Sequence, residues 1–100
     1  MAQPIYKVWM VKKYTDAFYK LTTEEQNKVL ANAEQQLKAA GGESVVLCAA
    51  IWSSEDCVAW GVEKFPDIEA VQKHAQLLMD SGHYKYIESV SYLGTKWPLE

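Results

Sequence analysis

The sequence predicts an α+β fold: a β-α-β-β-α-β chain forming one four-stranded antiparallel sheet with two helices on one face. Three observations carry this. Short apolar or alternating runs occur at residues 5–13, 44–53, 57–65 and 86–94. Stretches with apolar residues at helical spacing separate the first run from the second and the third from the fourth. The polar turn Ser53-Ser54-Glu55-Asp56 joins the middle two directly, as in a hairpin. One hundred residues suit a single domain spanning 1–100.

In the first run Tyr6, Val8 and Met10 fall on one side and Lys7, Trp9 and Val11 on the other, so both sides carry apolar groups. Residues 14–21 form an aromatic connector holding Tyr14, Phe18 and Tyr19. It is either a flap over a pocket or a turn whose rings plug the end of the core. Thr22-x-x-Glu25 fits a capping box at the start of the first helix. Gln26, Val29, Leu30, Ala33, Leu37 and Ala40 form its narrow stripe, and Gly41-Gly42 stop it.

The run at 44–53 is apolar almost throughout, as expected of a strand covered on both faces. Phe65-Pro66-Asp67 breaks the third run and opens the second helix. Ile68, Val71, Ala75, Leu78 and Met79 form the expected buried face, and Ser81-Gly82 ends the helix. With right-handed crossovers this order is the ferredoxin-like split βαβ unit.

Composition removes several functional classes. The net charge is −3 and every basic residue is lysine, which argues against a nucleic-acid partner. No apolar run approaches the roughly 20 residues of a membrane span, and no signal-peptide pattern opens the chain, so no membrane partner and a cytoplasmic location are expected. Neither a clustered metal-ligand motif nor a Gly-rich phosphate loop is present, so neither metal nor cofactor is expected. Pairing Cys57 with Trp52 and Cys48 with Gly61 sets the two cysteines roughly 13 Å apart, which predicts reduced thiols.

That pairing divides the hairpin into two faces. Leu47, Ala49, Ile51, Val58, Trp60 and Val62 share one; Cys48, Ala50, Trp52, Cys57, Ala59 and Gly61 share the other. Two helices cover only one face. Exposing the larger residues would forgo about 1.5–3 kcal/mol each, so a homodimer through the open face is expected. On the small-residue face, either a helix packs unusually close or a cavity remains.

Two histidines are candidates for chemistry. His74 is expected at the border of its helix's apolar face, either bonded to a backbone carbonyl or acting as a general base. His83 follows the helix-ending glycine, as a capping residue or a pocket residue. Glu63 is either the first solvated residue of its strand or a partner that orients an imidazole. Tyr86 suits donation to a developing oxyanion. The expected catalytic set is His74, Glu63 and Tyr86. The expected lining of a small-molecule pocket is Trp9, Tyr14, Phe18, Trp52, Ala59, Gly61 and His83.

The element order resembles that of the dimeric α/β-barrel superfamily, in which two ferredoxin-like sheets pair into a barrel. Lys7-Val8-Trp9, the segment 17–25 beginning Ala17-Phe18, Trp60, Phe65-Pro66-Asp67-Ile68-Glu69-Ala70-Val71 and Gly82-His83-Tyr84-Lys85-Tyr86 resemble a small family of unknown function within it. The resemblance implies a pocket between sheet and helices. Superfamily members include cofactor-free monooxygenases acting on polyketide aromatics, lactone isomerases, a polyketide cyclase and haem-handling enzymes. In the cyclase a helix tyrosine and a nearby histidine carry the acid–base work. His74 resembles that helix position with histidine in place of tyrosine, and His83 lies loosely near the other. The haem-degrading branch combines a strand-one asparagine, a tryptophan and a helix histidine; strand one here has no asparagine, so Trp60 and His74 alone do not support haem. The resulting expectation is a cofactor-independent enzyme acting on a small hydrophobic carbonyl or aromatic compound, or a non-catalytic binding or assembly module.

Overall fold

The computed structural model describes residues 3–53 and 55–97. Ser54 of the hairpin turn and the Leu99-Glu100 pair lie outside the described residues. The elements run β1 (Ile5–Tyr14), α1 (Asp16–Tyr19), α2 (Thr23–Ala39), β2 (Glu43–Ala49), β3 (Ala59–Phe65), α3 (Ile68–Asp80), α4 (His83–Tyr86) and β4 (Ile87–Gly94). The sheet order is β2-β3-β1-β4, all antiparallel. This is the ferredoxin-like α+β architecture.

Local chemistry sets the helix ends. The capping box is complete: Glu25 N–H donates to Thr22 Oγ1, and Thr22 N–H donates to the Glu25 carboxylate. At the other end of α2, Gly41 takes φ +88°, and the Gly41 and Gly42 amides donate to the Lys38 and Leu37 carbonyls. That arrangement satisfies two carbonyls the helix leaves unpaired. Asp67 caps α3 by accepting from the Ala70 amide at 2.9 Å.

The helices cover the side of the sheet that carries Phe65, which is fully buried among Leu37, Ala70 and Val71, with Ile5 against them. Register places Ile5, Lys7, Trp9 and Val11 on this side opposite Phe65, Glu63, Gly61 and Ala59. The reverse side carries Tyr6, Val8, Met10, Val46, Trp60, Val62, Val90 and Tyr92. Among the described residues no element covers it, and it forms the open face.

Three expectations about packing need correction. The β2–β3 register differs by one residue from the sequence reading: Cys48 faces Trp60, and Leu47 faces Gly61. A one-residue slip exchanges the faces of a strand. Val46 and Cys48 therefore join the open face, and Leu47 and Ala49 the helix side. The cause lies at both ends of β2. The register shifts between Ser44 and Val46, and the hairpin closes earlier, with the Ala50 and Ile51 amides both donating to the Val58 carbonyl. Ile51, Trp52 and Cys57 consequently sit in the turn rather than in strands.

The buried face of α3 is also rotated. Ala70, Val71, His74 and Leu78 are buried, whereas Ile68 and Met79 are exposed. Finally, the room left by small residues near Gly61 is occupied. A β-carbon on Gly61 would stand 2.7 Å from Trp9 Cζ2 and 2.7 Å from the Val46 carbonyl oxygen. The Trp9 indole fills that space. A groove that the structure does define lies instead on the open face, lined by Tyr6, Val8, Val62 and Tyr92.

Candidate functional site

One group of polar side chains sits between the sheet and the helices. β3 supplies Glu63, and β1 supplies Lys7 directly opposite it. α3 brings His74 down from above, on the same face as Ala70, Val71 and Leu78. α4, following the left-handed Gly82 (φ +75°), places His83 and Tyr84 at the edge of the group.

His74 is 3% exposed, so it is a core residue rather than the border residue expected from helical spacing. Its ring lies 5.4 Å from that of Phe65. His74 Nδ1 and Glu63 Oε1 are 4.0 Å apart, and neither atom has a hydrogen-bond partner among the described residues. Burying two such atoms without partners costs about 1–3 kcal/mol each. A polar pair left unpaired in a small core calls for an explanation beyond stability.

The electrostatics follow from burial. Desolvation, aided by the positive charges of Lys7 and His83, lowers the His74 pKa to about 4. At neutral pH His74 is an uncharged imidazole with a lone pair to accept a proton. Burial raises Glu63, with Lys7 opposing the shift, so its carboxyl retains a proton to higher pH than usual. Burial lowers Lys7, and the Glu63 charge opposes that shift. His83 is lowered by burial and by Lys7. Tyr84 is raised by burial and by the Glu63 charge. Both shifts favour the uncharged forms of the pair, a neutral imidazole and a protonated carboxyl.

The structure brings together Glu63, His74 and His83 of the expected residues. Trp9, Ala59 and Gly61 lie on the same side of the sheet. Trp52 does not join them: it is 82% exposed in the turn, its indole N–H donating to the Ala49 carbonyl. Tyr14 and Phe18 stack with ring centroids 4.4 Å apart and Phe18 is buried, so that ring closes the core end, whereas Tyr19 is exposed. Tyr86 ends α4 with the Lys85 ammonium over its ring, and its carbonyl accepts from the Thr15 amide.

Lys7 and Tyr84 were not anticipated. The signal for Lys7 was the alternation that set it beside Trp9 and Val11 on one side of the strand. Its meaning appears only once β1 pairs with β3. Trp60 lies on the open face and His74 on the helix side, so the two residues that a haem site would share are separated by the sheet.

Together the fold and this group define a ferredoxin-like domain with a buried acid–base cluster under α3. Compared with known proteins, the chain matches no family model and shows no significant similarity to a curated protein.

Proposed function

We propose that this protein is a small cytoplasmic homodimeric enzyme that performs cofactor-independent acid–base chemistry on a small hydrophobic carbonyl or aromatic compound, in the manner of cyclases, isomerases or cofactor-free monooxygenases. The His74–Glu63 pair, whose facing Nδ1 and Oε1 atoms have no hydrogen-bond partner among the described residues, carries the reading, because a neutral imidazole beside a carboxyl whose proton affinity burial raises is arranged to exchange protons with a third molecule. His74 takes a proton from carbon next to a carbonyl. Glu63 returns one, and His83 at the rim polarises the carbonyl oxygen. Dimerisation closes the open face.

The reaction is tested by following deuterium incorporation at the α-carbon of acetophenone and 1-indanone in D2O by NMR. Wild type accelerates exchange, and His74→Gln loses about 10²–10⁴-fold of that acceleration while binding, read by tryptophan fluorescence, persists. Wild-type exchange no faster than buffer refutes the enzymatic reading.

The apolar open face favours a second reading, a non-catalytic module that assembles through this surface. That reading gains if the chain self-associates yet neither binds nor exchanges either ketone.

A further inference from the structure

His74 and Glu63 are shut in. Their side chains are only 4% and 13% exposed, and the facing Nδ1 and Oε1 atoms are buried with no hydrogen-bond partner among the described residues. For any molecule to meet both atoms, an element around them has to move.

Those elements differ in how firmly they are held. β1 and β3 are the central strands of the sheet, each paired on both sides. α3 is anchored by buried Ala70, Val71 and Leu78 and capped by Asp67. α4 is built differently. It is one turn long, buries none of its four residues, and its N-terminus has no side-chain cap among the described residues. Gly82 leads into it in the left-handed conformation, with open space where a β-carbon would stand. α4 packs against α3, α1 and β4 at the rim of the pair, where the His83 charge acts on His74 and the Glu63 charge on Tyr84.

One distant residue ties α4 down. The Thr15 hydroxyl donates to the Lys85 carbonyl at 2.7 Å, and the Thr15 amide donates to the Tyr86 carbonyl at 2.9 Å. Releasing these two bonds frees the turn while the sheet and α3 keep their own contacts. Segments with few buried contacts open in this way at far lower cost than the whole fold.

We propose that α4 is a lid over the His74–Glu63 pair, hinged at Gly82 and latched by Thr15, whose opening lets a small molecule reach the two buried atoms. Such a lid deepens the reading above and rests on it only for what the opening serves.

The test follows modification of His74 in the full-length chain by diethylpyrocarbonate at pH 7, with sites assigned by tandem mass spectrometry, beside NMR hydrogen exchange of the backbone amides. Opening of one turn exposes little surface, so its equilibrium responds weakly to denaturant. His74 modification and exchange of the Thr15 and Lys85 amides are therefore expected to stay constant at low urea, while amides of the β1–β3 ladder exchange faster as urea rises. Thr15→Val, which removes the latch hydroxyl, is expected to speed His74 modification by about three- to tenfold. Thr15→Ser, which keeps it, is expected to match wild type. His74 modification that is absent, or that keeps pace with β1–β3 exchange at every urea concentration, overturns the lid. A Thr15→Val protein that reacts no faster than wild type removes the latch. The wild-type urea profile decides the matter even where a variant fails to fold.

The lid and the chemistry beneath it fail separately. Urea-independent modification of His74 in a protein that exchanges no α-deuterium leaves the lid standing and removes the acid–base reading. Rapid ketone exchange with α4 amides as protected as those of the sheet removes the lid and leaves the chemistry.

Discussion

His74 shows what burial does to one side chain in this fold. Its pKa of about 4, against 6.5 when exposed, means that the folded state excludes a proton that the unfolded chain binds between those values. Stability is therefore fully present above about pH 6.5 and declines as pH falls toward 4. That shift corresponds to roughly 3 kcal/mol. His83, also lowered, acts in the same direction. Glu63, which is raised, acts oppositely: protonation of its carboxyl favours the fold, so part of the loss is offset at the acid end. Urea denaturation from pH 4 to 7.5 is expected to show falling stability on the acid side, and His74→Gln to flatten most of that slope. Gly61 provides a second residue-scale prediction. Alanine there meets both the Trp9 ring and the Val46 backbone carbonyl. Of these only the ring can move, so Gly61→Ala is expected to cost about 1–3 kcal/mol, measurable by the same denaturation.

At the scale of elements, α3 matters most because it holds His74 over the sheet. Its entry depends on Asp67, whose carboxylate accepts from the Ala70 amide. Asp67→Ala is expected to lower stability by about 1 kcal/mol, and Asp67→Asn to lose much less. Such features were legible in the sequence. Capping at Thr22 and Asp67, and the stops at Gly41 and Gly82, depend on residues within a few positions of one another. The order of elements followed from spacing, and strand parity put Glu63 on the small-residue face, where partnering an imidazole was one of two readings. What could not be read were relations set by partners distant in the chain. The β2–β3 register turned on an irregularity between Ser44 and Val46 and on a turn longer than its four polar residues suggested. Ser53, whose amide and hydroxyl both donate to the Ala50 carbonyl, lengthens that turn. The inward rotation of α3, which exposes Ile68 and Met79, follows from the packing of His74 on Phe65. The fate of the aromatic connector was likewise decided remotely. Thr15 ties it to α4, its hydroxyl donating to the Lys85 carbonyl at 2.7 Å.

The whole molecule is a slab of 46 × 30 × 16 Å. Its radius of gyration of 14.2 Å exceeds the roughly 13 Å of a compact 100-residue globule. The shape reflects two layers with one apolar side uncovered. Val8, Val46, Trp60 and Val90 each remain 36–40% exposed there, and Tyr92 64%. Covering that residual area would contribute about 0.5–1 kcal/mol per large side chain, a modest sum but one that a second copy doubles. Sedimentation velocity at micromolar concentration is expected to show a particle of twice the 11.3-kDa chain mass. Trp60→Glu, placing a charge in the middle of the open face, is expected to weaken association by about 2–4 kcal/mol. A wild-type protein that sediments only as a monomer removes the dimer.

The proposed chemistry requires a neutral imidazole and a carboxyl sharing the interior beneath α3. Long-range 1H–15N NMR of the His74 ring, followed from pH 3 to 8, measures this directly. The expected midpoint is about 4, with a neutral ring throughout the physiological range. A midpoint at or above 6.5 would mean that His74 titrates as it does in water, and the proposed site would not exist.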